Sequence, residues 1–390
     1  MKIKSSEFIN FRNIAEERIE FSPGVNVIYG ENAQGKTNIL EAITFASAAS
    51  QNKLDTASLM NRDIRVPDFQ YMFNAFEDQD ETEDAKVIQF KVISKPKLTT
   101  LIYAIYAEKI KEWVNLYKSL ETIQIQKALE LYENKTGNRI DLLHKNEDFS
   151  KIEETEPEMF QLLKDNLLEK PELSSFVTYR PSEPYLRRSY ETALYPFGIK
   201  GEGLLKYLKD LDKDRDENAV KLIQEINKGL HLLEWFDGFS IPEDLLSNEY
   251  KLSIGDKYLK ESIKYFDQRS TNEGFLYLLF YLTLFNSNDT PSFFAIDNVE
   301  TSFNPKLCTK LIECLLEASK NNKKQVILTT HNPYVLDGLD LSNDEIRLFV
   351  ARRDIDGHTR LERVNYREDR NMLLSDLWMS GLIGGLPDNF

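Results

Sequence analysis

Between Lys2 and Gly30 apolar and polar positions alternate, the pattern breaks at Pro23-Gly24, and an apolar run of Val25, Val27, Ile28 and Tyr29 ends at Gly30. A period of two puts alternate side chains on opposite faces, so this segment predicts two hairpin-like strands followed by a buried strand. Ile39, Leu40, Ile43 and Phe45 switch to helical spacing, so strand, glycine loop and helix follow in order. From Lys86 to Ala107, β-branched and aromatic residues bracket Pro96 and predict further strands at a sheet edge. Glu108 to Lys170 is rich in Leu, Glu and Lys with few glycines, which predicts helices broken by a polar turn at Asn134 to Asn138. No heptad pattern persists there, so a short helical insertion is expected in place of a long coiled coil. Gly198 to Leu233 reads as a turn and two helices. The apolar helix "GFLYLLFYLTLF", the strand "SFFAID", the helix "KLCTKLIECLLEASK", the strand "QVILTT" and the loop "HNPYVLD" then follow. Such alternation predicts an α/β fold with a mixed, mainly parallel core sheet. The expected parts are 1–107, a mainly helical insertion and connecting lobe over 108–264, and 265–390.

Charge narrows the classes of partner. The 390 residues hold 49 basic and 64 acidic side chains, a net −15, so the surface as a whole repels nucleic acid and membrane. Any DNA contact must use a local patch, and "TYRPSEPYLRRSY", with Arg180, Arg187 and Arg188, is a stretch that could meet phosphates or pair with the acidic surface. The acidic runs Glu77 to Asp84 and Glu153 to Glu158 read as solvated loops. Cys308 and Cys314 lie six apart in one expected helix, a spacing unsuited to a metal knuckle or a disulfide framework. With no apolar run long enough to span a membrane and no signal-peptide plan at Met1 to Asn10, a soluble cytoplasmic protein is expected. Trp113, Trp235 and Trp378 read as packing residues, as do His144, His231 and His358 where they are not at the surface. The apolar, glycine-rich "DLWMSGLIGGLPDNF" could dock on its own domain or on a partner.

The chemistry begins at "GENAQGKTN", Gly30 to Asn38. Two glycines with four residues between them, followed by Lys36 and Thr37, let the backbone N–H groups curl around phosphate oxygens at a helix N-terminus. Lys36 can neutralise β- and γ-phosphates, and the Thr37 hydroxyl can complete a magnesium shell. A carboxylate on the metal side is supplied by Asp297, at the C-terminal tip of the apolar strand Phe293 to Ile296. His331 ends the next strand, where it can reach a γ-phosphate or its attacking water.

With these residues in place, "FINFRNI", "FSPGVNVIYGENAQGKTNILEAI", "SFFAIDNVETSFNPKL" and "VILTTHNPYVLD" together resemble the ATP-binding-cassette-type heads of the RecF, SMC and OLD-like group, in the branch called AAA15 or AAA21 ATPases. The likeness covers both ends of the chain and leaves about Gln51 to Lys264 unmatched. It implies ATP and magnesium as cofactors, with Gly30, Glu31, Asn32, Ala33, Gln34, Gly35, Lys36, Thr37, Asn38 and Arg12 on the nucleotide, and Thr37 and Asp297 on the metal. It implies catalytic places for Asp297, Asn298, Glu300 and His331. Asn298 stands where such heads carry the water-positioning glutamate, and Glu300 is the nearest carboxylate. An asparagine orients water but accepts no proton, so hydrolysis is expected to be slow, to use Glu300 or to be absent. "RSTNEGF" occupies the place of the signature loop, with Asn272 for its serine and Gly274 retained. Such heads sandwich two ATP molecules between two copies, which implies a homodimer or higher even assembly. The stretch after His331 is too short for an OLD-type nuclease domain. The preferred functional expectation is a regulatory ATPase of an antiviral module resembling Septu or PARIS, holding a separately encoded effector nuclease. A RecF-like DNA clamp and a non-hydrolysing nucleotide sensor are the alternatives.

Overall fold

The computed structural model describes residues 2–51, 53–65, 69–74, 87–95, 98–107, 112–121, 172–188, 190, 192, 196–214, 216–243, 245–246, 249–260, 262–367 and 372–386. The chain opens, as its patterning predicts, with β1 (Ser5–Phe11), β2 (Ile14–Glu20), β3 (Val25–Tyr29) and α1 (Lys36–Ser50). Two compact units emerge, one of Met1–Phe21, Glu41–Phe176 and Arg353–Arg360, the other of Ser22–Leu40, Val177–Arg352 and Leu361–Phe390.

The first unit is built on an antiparallel sheet of order β2-β1-β4-β5-β6, where β4 is Val87–Lys95, β5 is Leu98–Ala107 and β6 is Glu112–Glu121. Phe8 lies opposite Phe90 across the β1–β4 pair, and both rings are buried with Phe11 and Phe45. Ring centroids 5.6 Å apart for Phe11 and Phe45 and 5.9 Å for Phe45 and Phe90 make this aromatic cluster the hydrophobic centre of the sheet face. Two sequence expectations are corrected here. The strands around Pro96 are interior strands, because β1 covers β4 and β6 covers β5. Residues 112–121, expected to be helical, form β6, since continuous pairing from Leu98–Glu121 to Ala107–Glu112 outweighs a weak helix propensity. The remainder of the expected helical insertion up to 171, both acidic runs and His144 lie outside the described residues.

The second unit carries the sheet β13-β12-β3-β11-β10-β7, with β7 at Val177–Tyr179, β8 at Phe236–Ser240, β9 at Ser253–Asp256, β10 at Phe293–Ile296, β11 at Gln325–Thr330, β12 at Ile346–Arg353 and β13 at Thr359–Val364; β8 and β9 form a separate antiparallel pair. The β12-β3-β11-β10-β7 run is parallel throughout. Every position of β3, β10 and β11 is buried, and their side chains are mostly apolar with no strict alternation, as parallel strands covered on both faces require. After the short helices α2 (Thr56–Met60) and α3 (Glu183–Arg187) come α4 (Leu204–Asp214) and α5 (Glu217–Leu230), the two helices expected from Gly198 onward. Asp216 caps α5 through the Ala219 N–H, and its buried stripe is Ala219, Leu222, Ile226 and Leu230. Helix α6 (Glu273–Asn286) is buried at every position from Phe275 to Phe285, so it lacks a polar face. A Cβ at Gly229 of α5 would stand 2.5 Å from Leu282 of α6, which is why a glycine occupies that close approach.

Helix α7 (Pro305–Asn321) holds both cysteines unpaired, and burial pushes the Cys308 thiol to about 12 and the Cys314 thiol to about 11. The expected loop at "HNPYVLD" is a 3₁₀ helix, Pro333–Gly338, capped by Asn332. The C-terminal segment packs on its own unit: α8 (Leu374–Met379) buries Leu377 and Trp378, whose ring lies 4.8 Å from that of Tyr29. Trp235 packs between Phe236, Phe266 and Phe275, in keeping with its reading as a packing residue. No helix among the described residues is long and apolar enough to cross a membrane.

Lys324, just before β11, is buried and donates to the carbonyls of Ser287 and Thr290 at 2.8 and 2.9 Å and to the Thr290 hydroxyl at 2.9 Å. It thereby fixes the loop that leads into β10. Replacing it with methionine strands those acceptors and should destabilise the fold by about 1–3 kcal/mol. Burial lowers the Lys324 ammonium from 10.5 to about 8, so between those values the unfolded chain holds the extra proton and the wild type gains stability as pH rises. Denaturant unfolding of wild type and Lys324→Met should therefore diverge further at pH 10 than at pH 7; parallel curves would refute this.

Candidate functional site

The parallel register brings four strand ends to one edge of the sheet. Tyr29 is level with Thr330, and Ile296 is level with both Leu328 and Tyr179. The residues that follow these strands are therefore Gly30, His331, Asp297 and Arg180, all at the carboxyl edge where open α/β sheets gather ligands.

The loop after β3 has the backbone its glycines allow. Gly30 has φ +146° and Gly35 has φ +96°, and a Cβ at Gly30 would stand 2.5 Å from the Ala351 carbonyl oxygen of the neighbouring strand. Ala33, exposed at the loop tip with Asn32, takes φ +64° without being a glycine, a strained conformation of the kind found at ligand loops. The Gly35 carbonyl accepts the first helical hydrogen bond from the Ile39 N–H, so α1 begins within the motif. Lys36 is buried and reaches back to donate to the carbonyls of Gly30 and Glu31 at 2.6 and 2.8 Å. Burial pulls its ammonium below the ordinary value, while Asp297, Glu300 and Glu31 pull the other way.

Asp297 is the hub of the site. Its Oδ2 accepts from the Thr37 hydroxyl at 3.2 Å and from Arg180 Nε at 3.1 Å, while Oδ1 accepts from the Thr329 hydroxyl at 2.5 Å. Thr329 also receives the Asn298 N–H at 2.9 Å, and its carbonyl takes the Val299 N–H. Because Thr37 gives its hydrogen to Asp297, its oxygen lone pairs stay available to a hard cation. Hydroxyl and carboxylate oxygens are the donors magnesium prefers, so the residues fit the metal that the motif implies.

Beyond Asp297 the chain turns sharply. Asn298 has φ +55° and Ser302 has φ +68°, and the Thr301 and Phe303 N–H groups bond back to the carbonyls of Asn298 and Glu300. Asparagine tolerates the left-handed region better than most residues. This turn carries Glu300 to the end of β11, where its Oε1 accepts from the His331 backbone N–H at 3.0 Å and lies 2.8 Å from His331 Nδ1. Glu300 is buried, and its Oε2 has no hydrogen-bond partner among the described residues.

Other expected site residues have partners of their own. Asn272 caps α6 by accepting the Phe275 N–H at 2.9 Å, and Glu273 accepts from the Ser302 hydroxyl at 2.8 Å. Asn272, Gly274, Trp235, Ser302, Lys306 and Lys310 line a cavity of about 600 Å³. Arg12 belongs to the first unit, where its Nε lies 2.9 Å from Glu41 Oε2 and its charge sits over the Phe11 ring. Arg187 donates to the carbonyls of Gln268, Arg269 and Thr271, so it braces the segment before α6. Thr329 was missed in the sequence reading, although a threonine near the tip of a fully buried strand is a visible signal. The Arg180–Asp297 pair joins positions 117 residues apart, and no sequence signal links them.

Relatives of known name agree with this picture. "DNA replication and repair protein RecF" of Lachnoclostridium phytofermentans is 51% identical over 53 residues, 14% of this chain and 15% of the relative. The same protein of Clostridium kluyveri is 32% identical over 145 residues, 35% of this chain and 37% of the relative. The chain thus matches well under half the length of these relatives. Among solved structures, an SMC head bound to the C-terminal winged-helix domain of ScpA covers 94% of this chain and 98% of its own, with a TM-score of 0.53 at 12% identity. An SMC head with an extended coiled coil, from Pyrococcus furiosus, gives 0.53 over 93% of this chain and 96% of its own, also at 12% identity. At such identities the likeness is one of fold, that of an ABC-type ATPase head. The family described as "AAA domain, putative AbiEii toxin, Type IV TA system" matches residues 25–337, and the chain belongs to it.

Proposed function

We propose that this chain is an ATP-binding head that hydrolyses slowly, pairs with a second copy around two nucleotides, and regulates a separately encoded effector, a nuclease, in bacterial anti-phage defence. In this reading the Gly30–Asn38 loop and Lys36 hold the phosphates, and Thr37 and Asp297 hold magnesium, which supplies charge neutralisation at the phosphates. Asn272 and Gly274 face the partner copy's nucleotide. The observation that carries the reading is the pairing of Asn298 with a buried Glu300. The side chain next to Asp297 cannot accept a proton, while the carboxylate three positions on lies against His331 with one oxygen unpartnered among the described residues. Glu300 then serves as the base, with His331 positioned by it. The description of the family names a putative toxin of a type IV TA system, a two-component setting of the kind this reading assumes.

A RecF-like DNA clamp is the second reading, favoured by the RecF relatives. Anisotropy titrations of DNA against salt separate the two: a clamp gives a steep negative slope of log affinity on log salt, and a slope near zero removes it. A sensor that binds without hydrolysing is the third.

Lys36→Ala should weaken binding of a fluorescent ATP analogue by about 10- to 100-fold, the worth of one or two charged hydrogen bonds. Unchanged affinity would place the nucleotide elsewhere. In steady-state assays the wild type should turn over below about 1 s⁻¹, the low end for enzymes. Glu300→Gln should lower that rate about 10²-fold or more with ATP affinity retained. Turnover indifferent to Glu300→Gln removes Glu300 as the base, and turnover that emerges only in Asn298→Glu favours the sensor.

A further inference from the structure

Asp297 Oδ2 has two conventional lone-pair directions, and both are taken, one by the Thr37 hydroxyl and one by Arg180 Nε. The carboxylate side chain is 6% exposed and the Arg180 side chain 20%, so this is a largely desolvated ion pair. Removing either charge would strand the other. Arg180 directly follows β7, the edge strand, and the Asp297 N–H bonds to the carbonyl of Tyr179, so the backbone itself holds the two residues adjacent. Lys36 lies close enough for its charge to feel Asp297 and Glu300. Two protein cations therefore already balance two buried carboxylates. A divalent cation held by Thr37 and Asp297 adds two further positive charges to that balance, and the oxygen it needs is the one Arg180 occupies.

We propose that Arg180 is the resident countercharge of Asp297 and yields Oδ2 when a divalent cation is held there, so that Arg180 sets how strongly nucleotide binding depends on the metal. The guanidinium neutralises the buried carboxylate when the cation is away. It opposes the cation by charge and by competition for one oxygen when the cation arrives. Once released, its donors suit a phosphate oxygen. This rests on the reading that nucleotide binds at the Gly30–Asn38 loop.

The test is the ratio of ATP-analogue affinity in excess Mg²⁺ to that in EDTA, measured by fluorescence titration for wild type, Arg180→Gln and Arg180→Lys. Arg180→Gln should raise the ratio by about five- to fiftyfold, within the usual span of site-to-site coupling. Affinity in EDTA should fall and affinity in Mg²⁺ should hold or rise. Arg180→Lys, which keeps the charge and loses the planar fork, should fall between. A ratio unchanged in Arg180→Gln makes the pair merely structural, and a lowered ratio makes Arg180 a support for the metal; either overturns the proposal. If Arg180→Gln does not fold, the Arg180→Lys ratio decides: a value equal to or below the wild type overturns the proposal. No analogue binding by the wild type would refute the nucleotide reading itself, an outcome distinct from these.

Discussion

A buried carboxylate is the constraint from which the second unit takes its order. Leaving a charge such as that of Asp297 out of water costs several kcal/mol unless it is paired and hydrogen-bonded. Here the compensation comes from three directions: the first turn of α1 through Thr37, the end of β11 through Thr329, and the residue after β7 through Arg180. None of these groups is near Asp297 in sequence. They meet it only if β7, β10 and β11 are in their parallel register, with Ile296 level with Tyr179 and Leu328. A slip of one residue would point Asp297 at the opposite face and leave its partners unpaired. The hydrogen bonds that satisfy Asp297 are thus also a check on the register of the sheet.

The turn after Asp297 explains the departure at position 298 in physical terms. With φ +55° the backbone there lies in a region that asparagine enters more readily than glutamate, and its N–H is already committed to Thr329. A carboxylate at 298 would bring a second negative charge beside Asp297 on a strained backbone. Placing it at 300 puts it on the far side of the turn, where the His331 N–H and ring receive it. The same turn reaches α6, because the Ser302 hydroxyl bonds to Glu273 in the first turn of that helix. Strand ends, turn and helix start are consequently joined by hydrogen bonds within one unit.

Much of this was legible in the residues. The order of β3, glycine loop and α1 followed from a change of apolar period, and Asp297 and His331 followed from polar residues at the tips of apolar strands. What sequence could not reveal depended on pairing at a distance. The 112–121 segment has the composition of a helix and becomes β6 because ten consecutive partners on β5 are available to it. Lys324 looks like an ordinary surface charge until the Ser287–Pro291 carbonyls enclose it. Arg180 reads as part of a basic stretch, yet its charge is spent locally on Asp297, as that of Arg12 is on Glu41. Composition counts charges, and only the fold decides which of them still face outward.

That distinction bears on how an acidic chain can take a polyanion. A net −15 opposes the approach of a triphosphate at long range, but Lys36, Arg180 and the glycine loop all stand at the carboxyl edge of the parallel sheet. At contact distance in a partly buried site, these fixed donors outweigh a surface field that salt screens over about 8–10 Å. Both cations are already engaged, Lys36 with the loop carbonyls and Arg180 with Asp297, so a nucleotide can win them only by exchanging partners. An exchange of partners is a difference in contacts between two states, which is the requirement for a ligand to shift a conformational equilibrium. Under the reading proposed above, such an exchange is how the site would report that ATP is held.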